Sequence, residues 1–230
     1  MSDARISSLR AIALPPAVGG ARLDAAAIRP IAKRGIDIIL ALLLLAAFAL
    51  PMLVLALLVR LDGGPALFAH RRVGKGGTTF GCLKFRSMVI DAEARLAALL
   101  ERDADARAEW EATRKLRNDP RVTRTGRFLR ATSLDELPQL INVLKGEMSL
   151  VGPRPVTAAE LAQHYGAAAE HYQLVRPGIT GPWQVGGRSD TTYDRRVALD
   201  VAYATRPSLV EDFRLLAMTP VVVLLRRGAY

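Results

Sequence analysis

A chain of 230 residues is long enough for one domain of ordinary size with an appendage. Half of it is hydrophobic, and 32 Lys+Arg against 22 Asp+Glu leave a formal charge of +10, which favours an anionic partner: nucleic acid, a phosphorylated ligand or acidic lipid headgroups. The single cysteine, Cys82, excludes an internal disulfide framework and fits a reducing compartment, and His70, His164 and His171 form neither a zinc-type spacing nor HExxH.

Residues 1–30 mix Ala, Arg, Ser, Pro and Gly without a period, which predicts a mobile tail. The run IILALLLLAAFALPMLVLALLV from Ile38 to Val59 carries no charge and is long enough to cross a bilayer, so 31–62 is predicted as a membrane helix. Its topology is less direct. Lys33 and Arg34 precede the run, while Arg60, His70, Arg71, Arg72 and Lys75 follow it, so both flanks prefer the cytoplasmic side. Pro51 removes a backbone donor and clashes with the carbonyl of Ala47, and a kink there would return the helix to the face it entered. The freed backbone groups would need partners, because hydrocarbon offers none. These residues leave both a re-entrant helix and a kinked single span open.

The remainder, 63–230, reads as one domain. Ala66–Val73 and Thr78–Met88 are β-prone and flank Gly74-Lys75-Gly76-Gly77, which predicts a hairpin. A phosphate loop is disfavoured, since GxxxxGK[ST] is absent and no helix opens there. Val89 to Leu116 predicts a charged amphipathic helix ending at the turn Asn118-Asp119-Pro120. Arg117, Arg121, Arg124, Arg127 and Arg130 then lead to the acidic pair of SLDELPQLINVLKGEMSLVGPRP, residues 133–155. Arg176 to Trp183 is expected to be a turn-rich loop rather than regular structure. From about Asp194 the chain reads as helical until Pro220, followed by the short apolar patch VVVLL. The whole is a mainly α fold with a small β-hairpin.

Asp135 and Glu136 admit two readings. Ser133-Leu134-Asp135-Glu136 matches the capping box S-x-x-E, with Ser133 opening a helix and both carboxylates favoured at its positive end. The alternative is chemistry. A carboxylate is ionised at pH 7 and can attack phosphorus once the target's charge is neutralised. Arginine offers paired donors for phosphate, and a divalent cation on a second carboxylate can bridge a diphosphate.

Several segments resemble the bacterial sugar transferase family, the monotopic phosphoglycosyl transferases that start glycan assembly on polyprenyl phosphate. They are KRGIDIIL at 33–40, the Pro51-broken helix, RRVGKGGTTFGCLKFRSM at 71–88, NDPRVTRTGRFLRATSLDELPQLINVLKGEMSLVGPRP at 118–155, RPGITG at 176–181 and DFRLLAMTPVVVLLRRGAY at 212–230. The segment 183–203 is similar to exopolysaccharide-initiating members. Leu50, Leu83 and Arg206-Pro207-Ser208 depart from the family's usual Ser, aromatic and Asn-Trp-Ser.

The resemblance implies transfer of hexose 1-phosphate, galactose or glucose, from a UDP-sugar to undecaprenyl phosphate with release of UMP. It implies Asp135 as nucleophile and Glu136 as a second catalytic carboxylate holding Mg2+. Lys84, Arg130 and Arg154 fall on positions expected to bind phosphate, and Asp200 on one expected near the nucleotide. It further implies a re-entrant helix and a catalytic domain on the cytoplasmic face of a bacterial inner membrane, in contact with membrane lipid. Homo-oligomerisation stays open. A non-catalytic membrane adaptor is the competing reading; nucleic acid is not expected as a partner, since neither a stacking motif nor a helix-turn-helix is present.

Overall fold

The computed structural model describes residues 22–113, 116–187 and 191–224. Helix α1 (Arg22–Leu61) carries the apolar run and is the one described helix long and apolar enough to cross a membrane. It begins inside the segment expected to be a tail, and the rest of that tail lies outside the described residues. Ile39, Leu42, Leu43, Leu50, Leu53, Leu57 and Leu58 project outward from it.

Two polar attachments tie α1 to the rest of the chain. Near its start, Arg34 donates to the carbonyls of Val143 (2.6 Å) and Leu144 (2.9 Å), and Asp37 accepts the amide of Leu150 (3.1 Å). Lys33 lies 3.0 Å from Asp212, which also accepts the Tyr203 hydroxyl at 2.6 Å. At the far end, Arg86 donates to the carbonyls of Val59, Gly63, Pro65 and Met88. The guanidinium thus gathers a carbonyl of the last turn of α1 with three from the loops that follow α1 and β2.

The hairpin forms as expected. Strands β1 (Leu67–Val73) and β2 (Thr79–Phe85) pair antiparallel from Leu67↔Phe85 to Val73↔Thr79. The turn between them needs positive φ at Gly76 and Gly77. The charged stretch is two helices, α2 (Ala92–Arg102) and α3 (Ala104–Thr113), because Asp103 is extended and its carboxylate accepts the Ala106 amide instead of continuing the helix. Helix α4 (Arg124–Thr132) is capped by Thr123, whose hydroxyl accepts from Gly126. Gly126 passes so close to the Ser87 backbone that any side chain would collide with it.

Helix α5 (Gln139–Lys145) packs Leu140 and Val143 against Met148, Leu150 and Ala41 of α1. Strand β3 (Ser149–Val151) follows, then α6 (Ala158–His164) and α7 (Ala169–Tyr172). The segment expected to be an irregular loop instead supplies β4 (Gly178–Thr180), which pairs parallel with β3, and the short α8 (Pro182–Val185). The strand was hidden because Gly152 and Gly178 cross at backbone contact, leaving no alternating side chains to read. The C-terminal region is α9 (Tyr193–Thr205) and α10 (Leu209–Leu224), and Pro220 lies within α10 rather than ending a helix. Residues beyond Leu224 lie outside the described set. The architecture is mainly helical with two small sheets.

A lysine at position 86 keeps the charge but cannot reach four diverging carbonyls. Arg86→Lys is expected to cost about 3 kcal/mol, the scale of losing charged hydrogen bonds in a buried place. Thermal unfolding in detergent measures this; a loss below about 1 kcal/mol would show that the attachment is replaceable.

Candidate active site

Asp135 and Glu136 do not open a helix. Ser133 closes α4 in the left-handed region (φ 57°), its amide donating back to Arg130 and Leu129, and its side chain caps nothing. The expected capping box is therefore absent. Ser133 reverses the chain, and residues Leu134–Glu136 form one tight 3-10 turn ahead of α5, with Pro138 immediately before the first residue of that helix. The reversal presents the acidic pair toward the end of β2.

There Lys84 closes on both carboxylates, with its Nζ 2.7 Å from Glu136 Oε1 and 3.3 Å from Asp135 Oδ2. Arg154 Nη1 reaches the same Glu136 oxygen at 3.4 Å. Arg130 lies within electrostatic reach of Asp135 but spends its Nε on the Ser87 hydroxyl at 2.9 Å. Four of the residues implied by resemblance, Asp135, Glu136, Lys84 and Arg154, thus form one ion cluster, with Arg130 at its margin.

The sheets explain these positions. Asn142, almost fully buried in α5, accepts the Leu83 amide (2.9 Å) and donates to the Gly81 carbonyl (2.8 Å), fixing α5 and the turn before it to β2. Arg154 follows β3 directly and Trp183 follows β4. Because these strands are parallel, both residues leave from the same edge, and the Arg154 guanidinium lies over the Trp183 ring at 5.6 Å. Arg196 of α9 covers the same ring at 4.7 Å. The aromatic between two guanidinia was not read from the sequence; RPGITGPW carried it without any local signal of what would face it.

Burial governs the charge balance. Asp135 is only 8% exposed, and loss of water raises its carboxyl above the ordinary range; Lys84 opposes this and Glu136 adds to it. Lys84 is disfavoured as a cation by burial, yet Glu136 and Asp135 overcome that and hold it above the usual lysine range. Arg154 behaves alike for the same reason. The Cys82 thiol, two residues before Lys84, is pushed up to about 11, chiefly by burial, and stays protonated.

Asp200 is elsewhere. It has no exposed surface, accepts the Tyr165 hydroxyl at 2.7 Å and sits 3.9 Å from Arg196, so it has no face with which to touch a nucleotide. Burial pushes its carboxyl up to about 6, against the Tyr165 hydrogen bond and the Arg196 charge. Among the described residues no group of three or more His, Cys, Asp or Glu is placed to hold a metal without help from a ligand.

Fold and site together define a membrane-competent helix fastened to a domain whose polar centre is an acidic pair ringed by cations. Residues 28–226 match the family described as bacterial sugar transferase, and the chain belongs to that family. It is 50% identical over 198 residues to a protein of Salmonella typhimurium named undecaprenyl-phosphate galactose phosphotransferase, covering 86% of this chain but 41% of that protein. It is 45% identical to the exopolysaccharide production protein ExoY of Sinorhizobium fredii over the full length of both. A Xanthomonas campestris protein named UDP-glucose:undecaprenyl-phosphate glucose-1-phosphate transferase is 42% identical, over 87% of this chain and 40% of its own. The chain thus spans about two-fifths of the longer relatives and the whole of the shorter one.

The Asp200 carboxyl yields a stability test. Its folded value, about 6, lies above the unfolded value of 3.8, so the folded state binds the proton more tightly. The contribution of this group to stability is then fully present below pH 4 and is lost as pH rises through 6, about 3 kcal/mol at pH 7. Asp200→Asn can still accept from Tyr165 and removes that dependence. Its melting temperature should exceed the native protein's at pH 7 and converge with it near pH 4. Parallel curves would contradict the assignment.

Proposed function

We propose that the protein transfers hexose 1-phosphate, with galactose or glucose as the sugar, from a UDP-sugar to undecaprenyl phosphate through a covalent intermediate on Asp135. The observation that carries this reading is the buried Asp135 carboxylate held by Lys84 and bracketed by Glu136, Arg154 and Arg130 in a chain of this family.

In the first half-reaction an oxygen of Asp135 attacks the sugar-side phosphorus. The bond from that phosphorus to the bridging oxygen breaks, and UMP leaves with the electron pair. Asp135 then carries the sugar phosphate as an acyl phosphate. In the second, a phosphate oxygen of undecaprenyl phosphate attacks the same phosphorus, the bond to Asp135 breaks, and the carboxylate returns. No proton need be removed from the nucleophile, so the site's task is charge placement. Desolvation makes the carboxylate more basic, while Lys84 keeps it ionised. Arg154 and Arg130 offer donors to phosphate oxygens, and the Trp183 stack holds the Arg154 fork in place.

Two adjacent carboxylates suit a Mg2+ ion that takes its remaining ligands from the diphosphate and water. Glu136 would help hold it, and the ion would supply neutralisation of the developing charge on the leaving UMP.

The polar attachments favour a re-entrant α1. Arg34 and Val59 lie about 37 Å apart along a straight helix axis, yet both are bonded to the same domain. A span with its ends on opposite faces could not keep both. The domain then lies on the cytoplasmic face of a bacterial inner membrane, where the acceptor's phosphate is found.

Asp135→Asn should abolish UMP release and the covalent adduct detected by intact-protein mass spectrometry; an active variant would exclude Asp135 as nucleophile. Activity should require ionised Asp135, so the acid limb of kcat/KM should lie above pH 3.9, the ordinary aspartate value. Lys84→Met, which removes the charge opposing the shift, should move that limb to higher pH, and an unmoved limb would break the link. Chelation of Mg2+ should suppress turnover in the native protein and matter less in Glu136→Gln. Topology is checked by Gly20→Cys and Lys75→Cys, each tested with an impermeant thiol reagent in intact cells. Both should be protected; opposite accessibility would sink the re-entrant arrangement.

A further inference from the structure

Residues 68, 70 and 72 of β1 share the face that carries Phe80, Cys82 and Lys84 of β2, because cross-strand partners point to one side. Lys84 reaches the acidic pair, so this is the face of the active site. Its β2 half is covered, with Phe80 and Cys82 buried, whereas Phe68 and His70 on β1 are open. His70 is the cross-strand neighbour of Cys82 and lies within the field of Lys84.

Its ring has a defined hydrogen-bonding role. Arg72 Nη2 lies 2.9 Å from His70 Nδ1, and a guanidinium can only donate, so Nδ1 must accept. Arg72 is itself fixed by Glu160, 2.7 Å from its Nη1. The imidazole is therefore the neutral form with its proton on Nε2, and burial followed by the Arg72 charge holds it below the ordinary histidine range, with only Glu160 opposing. Nε2 cannot serve as a base in this tautomer. It is a neutral donor, and no described residue accepts from it.

We propose that His70 Nε2–H is a further binding group of the site, donating a hydrogen bond to the phosphate of the lipid acceptor during the second transfer. This rests on the transfer reading above. The acceptor rather than the nucleotide sugar is indicated by Phe68. Its ring centroid lies 6.0 Å from that of His70, it is 53% exposed, and it is the second residue of β1, the strand that follows α1. An apolar ring followed by a phosphate donor, starting from the membrane helix, matches a phosphate monoester on a hydrocarbon chain. The Arg154–Trp183–Arg196 stack is built from other elements, the loop after β3 and helices α8 and α9.

The test separates the two half-reactions in the full chain. Without acceptor, UDP-galactose or UDP-glucose should give a stoichiometric UMP burst and the Asp135 adduct in both the native protein and His70→Ala. With undecaprenyl phosphate added, His70→Ala should raise the acceptor KM roughly tenfold to hundredfold, the worth of one hydrogen bond to a charged group. His70→Gln, whose amide nitrogen replaces Nε2 as donor, should recover most of that loss. An unchanged acceptor KM, an equal loss in burst and transfer, or a Gln variant no better than Ala overturns the assignment while leaving the transfer reading intact. Absence of the burst in the native protein overturns both.

Discussion

Two adjacent carboxylates, one of them almost fully enclosed, cannot both remain ionised without cations brought to them, and this constraint organises the domain. Lys84 answers it from a strand, Arg154 from the loop after β3 and Arg130 from α4. Each comes from a different element, so the cluster exists only when hairpin, parallel ladder and helices are assembled together. The cations are themselves partly buried, and the carboxylates keep them charged in turn. Removing one partner of such a cluster leaves an uncompensated charge, which costs more than the contact itself was worth.

The parallel pair β3–β4 is small, yet it decides where the cations go. Antiparallel pairing would send the GPRP loop and the RPGITGPW segment to opposite edges. Parallel pairing places Arg154 and Trp183 side by side, and Arg196 closes the stack from α9. Gly152 and Gly178 are required because the backbones touch where the segments cross. The same glycines that permit this contact erased the strand's signal from the sequence.

What was legible follows from what is local. The apolar run of α1, the hairpin around Gly76-Gly77 and the charged stretch after it are all periodic or turn-marked, and each is present. The pairing of Asp135 with Glu136, Lys84 and Arg154 was legible only through family resemblance, since Lys84 and Asp135 are joined by tertiary contact. Local rules misled where tertiary demands overrode them. Ser133 fits a capping box by spacing but is used to reverse the chain, and Pro220 fits a helix stop but lies inside α10. Asp200 fits a ligand-facing acid by resemblance but is drawn into the core by Tyr165.

Arg86 and Lys84 stand two residues apart and link the acidic pair to α1. Lys84 holds the acidic pair, Arg86 gathers the carbonyls at the end of α1, and Ser87 accepts from Arg130. The end of α1 and the acidic pair are thereby fixed to neighbouring residues at and just beyond the end of β2. On the proposed reading this matters because a polyprenyl phosphate presents its phosphate at a height set by the bilayer. A nucleophile on a flexible tether would have to find that height anew at each turnover. With Arg34 and Arg86 gripping the two ends of the apolar run, the depth of α1 in the lipid sets the depth of Asp135.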